Sequence, residues 1–243
     1  MNLSHYLLFA LVFAAGYAVQ GTTGFGAATL SLPILAFFFP PKVLIAVIIG
    51  VNLFQSGWLA FTERQHLDQR QALIMILFAL IGLPLGYLVY RDLSTEKLKI
   101  VLGGFVVLVA ISNLAGGRQP RPWPSFLYYP LLFLGGVTEG ALANGGPFIV
   151  IYAERMIKDK SAFRATLSLL WSSLNVVMCG IYTATGTWTR EMVPLMLIAL
   201  PCIALGTWLG QILHHRLPEK PFRALVFAIL LLAGLVLLRP LFG

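Results

Sequence analysis

The sequence predicts an all-α polytopic membrane protein of about eight hydrophobic segments, arranged as two repeats. Three observations lead there. Of the 243 residues, 58% are hydrophobic and only 11% are charged, against roughly 25% charged in a soluble domain. The charges gather in short stretches between long apolar runs. Two of those runs are interrupted by glycine-rich breaks, Gln20-Gly21-Thr22-Thr23-Gly24-Phe25-Gly26 and Glu139-Gly140-Ala141-Leu142-Ala143-Asn144-Gly145-Gly146-Pro147. Within lipid every freed backbone N–H and C=O needs a partner, so such breaks survive only where protein or a water-filled cavity surrounds them. Paired breaks in corresponding places point to a transport site.

Taken in order, the elements follow from where charge, proline and glycine interrupt the apolar runs. Tyr6 to Pro41 carries no charge and is split by the first break into two helical pieces, each short for a full span. Pro40-Pro41-Lys42 closes the second piece, because tandem prolines cannot continue a helix. Val43–Thr62, Gln71–Tyr90 and Ile100 to about Ala115 read as three spans, separated by the polar loops 63–70 and 91–99. Gly116 to Pro124 holds three prolines, two arginines and two glycines, which makes it the linker. The pattern then restarts: an apolar piece from Ser125 to Val137, the second break, Phe148–Ala153, the basic loop 154–164, and spans over Ala165–Trp188, Met192–Leu213 and Ala224–Leu238. We therefore divide the chain into a first repeat at 1–117, a linker at 118–124 and a second repeat at 125–243. The uncharged N-terminus lacks the basic start of a signal peptide and is read as retained structure.

The repeat shows residue by residue. Gln20-Gly21 and Gly26 align with Glu139-Gly140 and Gly145 at an offset of 119. Asn52 and Gly57 align with Asn175 and Gly180 at 123, and Gly82/Gly86 with Gly206/Gly210 at 124. If each broken pair dips in and returns, three full spans remain per half and the repeats are inverted. If all segments cross, they are not. Lys and Arg divide 11 against 6 across the membrane under either arrangement, so the positive-inside rule does not separate them. The inverted form is favoured by the short pieces. Both place the two termini outside and the basic loops 155–164 and 216–223 in the cytoplasm.

The net charge of +8 therefore serves topology and anionic headgroups rather than nucleic acid. Cys179 and Cys202 lie in apolar runs without motif spacing and read as core residues, not as a disulfide or metal pair. No metal or cofactor site is expected. Gly-x-Ser-x-Gly, His-Glu-x-x-His and P-loop patterns are all missing from the sequence, which argues against an enzyme and against a pump driven by its own ATP hydrolysis.

The chemistry expected at the breaks is that of helix ends. A helix starting near Ala27, and another with Pro147 in its first turn, would present unpaired N–H groups and partial positive charge to an anion. Gln20, Gly21, Thr22, Thr23, Gly24 and Gly26 on one side, and Asn144, Gly145, Gly146 and Pro147 on the other, are the candidate substrate-binding residues. Close helix packing by small residues is the competing reading. Asn52 and Asn175, at equivalent places on the spans after each break, either face that site or bond neighbouring helices. Glu139 is the one acidic side chain well inside an apolar run, and an intramembrane carboxylate is a candidate for coupling to protons. Its counterpart Gln20 cannot titrate. The alternative for Glu139 is a protonated, interhelical hydrogen bond. The GxxxG pairs read as packing faces, Arg164 as a topology determinant, His214-His215 as solvated. Tyr128, Tyr129, Trp58 and Trp188 read as an interfacial belt.

These residues resemble a known family. The stretch QGTTGFGAATLSLP from Gln20 to Pro33 is similar to the first signature of the TauE/SafE permeases. GGVTEGALANGGPFIVIY from Gly135 to Tyr152, followed by Phe163-Arg164-Ala165-Thr166, resembles the second. The resemblance spans both halves. It implies an inner-membrane permease exporting small anions such as sulfite, organosulfonates or related oxyacids. The partners it implies are a small anion, the bilayer, and a proton or other coupling ion, and it leaves room for a homodimer. Ala27-Ala28 and Ala141-Leu142-Ala143-Asn144 depart from the family pattern where the substrate would be read. A passive anion channel, and a membrane scaffold that moves no solute, are the alternatives to a carrier with alternating access.

Overall fold

The computed structural model describes residues 3–23, 26–115, 125–214 and 219–239. Every regular element among them is helical. In chain order these are α1 (Leu3–Thr23), α2 (Ala27–Leu35), α3 (Pro41–Thr62), α4 (Gln69–Asp92), α5 (Thr95–Leu114), α6 (Tyr129–Leu142), α7 (Gly146–Met156), α8 (Lys160–Ala184), α9 (Met192–His214) and α10 (Glu219–Leu237). Short 3-10 turns precede α4 and α6. Six helices (α1, α3, α4, α5, α8 and α9) are long and apolar enough to cross a membrane. Leu73, Leu77, Ile81 and Leu85 on α4, and Phe54, Trp58 and Phe61 on α3, are exposed stripes with helical spacing, as lipid-facing surfaces are. Gly24, Phe25, His215 and the linker expected at 118–124 lie outside the described residues.

One expectation needs correction. The first half of the first broken pair is not short, because α1 begins at Leu3 and runs on through Gly21 to Thr23 for 21 residues. Two internal glycines are not enough to end a helix that is otherwise apolar and helix-forming. The left-handed Gly26, at φ 104°, is the first described position beyond it that an L side chain would resist. The other pieces, α2, α6 and α7, are 9, 14 and 11 residues long.

The helices fall into two compact units, residues 1–44, 93–122 and 194–243, and residues 45–92 and 123–193. Each draws helices from both halves of the sequence. In the first unit α5 packs on α10 and α1 on α2. Gly103 of α5 and Gly234 of α10 meet backbone to backbone, and a Cβ at Gly206 of α9 would run into the Ala14 carbonyl of α1. In the second unit the main contact is α4 on α6. There Gly82 and Gly86 of α4 meet the α6 backbone at Phe133 and Val137, and Gly136 and Gly140 of α6 meet the α4 backbone at Ala79 and Leu83. Small residues on both helices let the backbones touch. The packing reading of Gly82, Gly86 and Gly206 therefore holds.

Both broken pairs fold back on themselves. In the first unit Ser31 of α2 donates to the Val12 carbonyl of α1 at 3.3 Å, and Phe39, just past α2, contacts the His5 and Phe9 rings near the start of α1. In the second unit Tyr129, opening α6, lies 6.3 Å ring to ring from Tyr152 near the end of α7. Tyr152 in turn donates to Gln71 Oε1 at 2.8 Å, at the start of α4. Each pair thus enters and leaves its unit at one end.

Substituting the glycines separates packing from mere tolerance. Gly136→Val should cost about 3 kcal/mol, since the branched side chain must displace the Ala79 backbone. Gly104→Ala, where a Cβ meets nothing within 4 Å, should stay within about 1 kcal/mol of wild type. Thermal unfolding of the detergent-solubilised protein measures both.

Candidate functional site

Helices that begin in the loops are capped locally. Asp68 Oδ1 accepts from the Gln71 N–H at 3.0 Å, Asp159 Oδ1 from Ala162 N–H at 2.8 Å, and Ser94 Oγ from Lys97 N–H at 3.4 Å. These are ordinary N-caps, each satisfying an orphan donor of the first turn. The two helices that begin at the breaks, α2 and α7, have glycine at the N-cap and no side-chain cap from it.

Their N–H groups are served from the preceding helix instead. Gln20 Oε1 accepts from Ala27 N–H at 3.3 Å in the first unit. Glu139 Oε2 accepts from Gly145 N–H at 2.8 Å in the second. The two residues that align between the halves therefore do the same job, each reaching across its own break. Gln20 is half-buried and Glu139 is buried. In this arrangement the α7 N-terminus already holds a carboxyl group, which the sequence reading had reserved for a solute.

The second break is the better defined. Glu139 through Gly146 are all buried. Ala143 turns the chain in the left-handed region at φ 50°, the one non-glycine to do so among the described residues. That conformation costs an L side chain about 1–2 kcal/mol, and nothing in the sequence flags it. The turn is held by Ala143 N–H to the Glu139 carbonyl at 2.8 Å and Asn144 N–H to the Thr138 carbonyl at 3.3 Å. Asn144 is 3% exposed. Gly145 is pressed against the Gly135 carbonyl, so no side chain fits there. Pro147 lies in the first turn of α7, where its missing N–H leaves nothing unsatisfied. Of the first break, Gly21, Thr22 and Thr23 continue α1, Gly26 is the N-cap of α2, and Gly24 lies outside the described residues.

Asn52 and Asn175 both fall in the second unit, and contacts fix their height. Glu63, just after α3, forms an ion pair with Arg164, near the start of α8, with Arg164 Nε donating to Glu63 Oε2 at 3.0 Å. Further in, a Cβ on Gly57 of α3 would lie 3.4 Å from Ser172 Oγ of α8. The two contacts make α3 and α8 antiparallel. Asn52 is eleven residues before Glu63 and Asn175 eleven after Arg164, so both sit ~16 Å from that end at 1.5 Å per residue. The α6–α7 turn reaches deeper. Gly140, just before it, meets Leu83, fourteen residues or ~21 Å into α4, whose start is tied to the same end by Asp68 N–H donating to Thr166 Oγ1 at 3.1 Å. The depth of the two asparagines is about half of a ~30 Å hydrocarbon core.

Elsewhere, Arg164, read as a topology determinant, pairs with Glu63, a contact 101 positions apart that is invisible to sequence reading. Tyr128 is buried and Tyr129 stacks on Phe78 at 4.8 Å, so these two pack inward, whereas Trp58 is 71% exposed as a lipid-interface residue would be. Among the described residues no cluster of three or more potential metal ligands forms.

The family model described as Sulfite exporter TauE/SafE matches residues 8–237. The chain is 24% identical over 163 residues to the "Probable inner membrane transporter protein TsaS" of Comamonas testosteroni, covering 66% of this chain and 68% of that one. It is 23% identical over 238 residues to the "Probable sulfite/organosulfonate exporter TauE" of Cupriavidus necator, covering 94% and 92%. No solved structure matches significantly.

If the Glu139–Gly145 bond secures the turn, Glu139→Gln should keep the fold, because an amide oxygen serves at the matching position of the first break. Glu139→Leu leaves the Gly145 N–H without its acceptor and should be less stable than the Gln variant by about 1–3 kcal/mol. Comparing unfolding midpoints of the two variants tests this.

Proposed function

Because the chain belongs to the sulfite exporter TauE/SafE family, a family of membrane transporters, we propose that it is a secondary carrier exporting sulfite, organosulfonates or related small oxyanions across the inner membrane. It works by alternating access, and a proton taken up at Glu139 is coupled to the anion. Both termini lie outside and the loops at 155–164 and 216–223 face the cytoplasm, by the positive-inside rule. The observation that carries the reading is the buried Glu139 carboxyl on the Gly145 N–H, at the head of a helix that starts at a buried break in the second unit.

The coupling follows from electrostatics. The α7 N-terminus offers partial positive charge, and an ionised Glu139 cancels it. An incoming anion would meet that negative charge in a medium of low dielectric, where repulsion is strong. A proton on Glu139 removes the repulsion. By linkage, an anion that binds better to the protonated protein must raise the proton affinity of Glu139 to the same extent. Asn144, Gly145, Gly146 and Pro147, with Asn52 and Asn175, supply polar contacts to solute oxygens in the second unit. Gln20, Gly21, Thr22, Thr23, Gly24 and Gly26 supply them at the first break, where the neutral Gln20 opposes no anion.

Reconstitution in proteoliposomes tests this. Labelled sulfite and small organosulfonates should show uptake and counterflow accelerated by a pH gradient, and Glu139→Gln should retain counterflow while losing the dependence on the gradient. Flux without counterflow would mark a passive channel. Proton-dependent transport surviving in Glu139→Gln would remove Glu139 from the coupling.

A further inference from the structure

Asn175 is 1% exposed, and no protein group among the described residues bonds either its amide nitrogen or its amide oxygen. A side-chain amide carries two donors and an acceptor oxygen, and leaving such groups buried and unmade is strongly unfavourable. Native proteins rarely leave such groups without a partner, and each one calls for a specific explanation. Asn175 lies at the depth of Asn52, ~16 Å from the Glu63–Arg164 end. Along the buried face of α8, Leu174 and Met178 have nothing to offer, Ser168 donates to the Arg164 carbonyl at 2.8 Å, and the Tyr182 hydroxyl, two turns on, is likewise buried and unbonded.

An amide with both edges unused is matched by a solute that presents an acceptor and a donor side by side. A fully ionised oxyanion has acceptors alone, and it would satisfy the Asn175 N–H while leaving its oxygen opposed to negative charge. We propose that Asn175 binds the transported oxyacid in its singly protonated form, its N–H to a solute oxygen and its carbonyl oxygen to the solute O–H. This rests on the anion-carrier reading above and specifies the form of its substrate. Sulfite exchanges its last proton near neutrality and offers such an edge. An alkylsulfonate stays ionised and offers none.

Titratable groups on the helices around α8 are Tyr129 and Glu139 on α6, Arg70, Tyr87, Tyr90, Arg91 and Asp92 on α4, Tyr152, Glu154 and Arg155 on α7, Lys42 on α3, and Lys160, Cys179 and Tyr182 on α8 itself, with Glu63 and Arg164 paired at the loop end. A change of charge at any of them acts on sulfite and on methanesulfonate together. The difference between the two solutes therefore reports the solute's own proton.

The experiment measures equilibrium binding of sulfite and of methanesulfonate to the purified full chain, below and above neutrality, for wild type, Asn175→Leu and Asn175→Asp, with ligand-free unfolding midpoints alongside. Wild type should prefer sulfite below neutrality and lose that preference above it. Asn175→Leu should bind sulfite about tenfold to a hundredfold more weakly, lose the preference, and unfold about 2–4 °C higher without ligand, since it removes unmade polar groups. Asn175→Asp, which keeps the shape but loses the amide donors, should also lose the preference and covers the case in which the Leu variant does not fold. An Asn175→Leu protein that folds and binds as wild type does, or an Asn175→Asp protein that keeps the preference, overturns the proposal. Wild type that binds neither solute overturns the carrier reading with it.

Discussion

A backbone N–H inside a bilayer has no water to turn to, and this constraint shapes both breaks. A helix that starts in a loop can take a cap from Asp68, Ser94 or Asp159. A helix that starts at a buried break cannot use such a residue cheaply, because a short polar side chain at the N-cap would face apolar surroundings on its other sides. The chain solves this by putting glycine at the N-cap and sending a longer side chain across from the helix before, Gln20 to Ala27 and Glu139 to Gly145. The glycines, the turn-back of each pair and the close packing of Gly145 on Gly135 all follow from keeping that bridge short.

Much of this was legible in the sequence. The breaks, the spans, the GxxxG packing faces and the alignment of Gln20 with Glu139 all come from patterns of glycine, charge and apolar length. What was missed has a common physical origin. Ala143 has no preference for the left-handed region, so its φ of 50° leaves no mark in the sequence. The Glu63–Arg164 pair and the Tyr152–Gln71 bond join positions 101 and 81 apart. Helix α1 outran its expected end because glycine weakens a helix by only about 1 kcal/mol, and two glycines do not define a terminus. Composition reports burial and local geometry; it does not report which distant groups meet.

At the second break the helix end expected to hold an anion is met by the protein's own Glu139 carboxyl. An anion approaching that end would therefore first meet Glu139.

The asymmetry between the two bridging residues then acquires a mechanical sense. An amide and a carboxyl of equal length hold the same kind of N–H, so either would serve the fold. Only the carboxyl also carries a charge that a proton can cancel, and the chain places it at one break. Two titrating bridges would tie two protons to each reorganisation of the breaks, while two amides would tie none. With one of each, one break carries a carboxyl that a proton could neutralise and the other does not. The requirement for a bridge comes from the backbone, and an amide or a carboxyl meets it equally; a proton-coupled carrier would need the carboxyl at position 139, and a merely well-packed bundle would not.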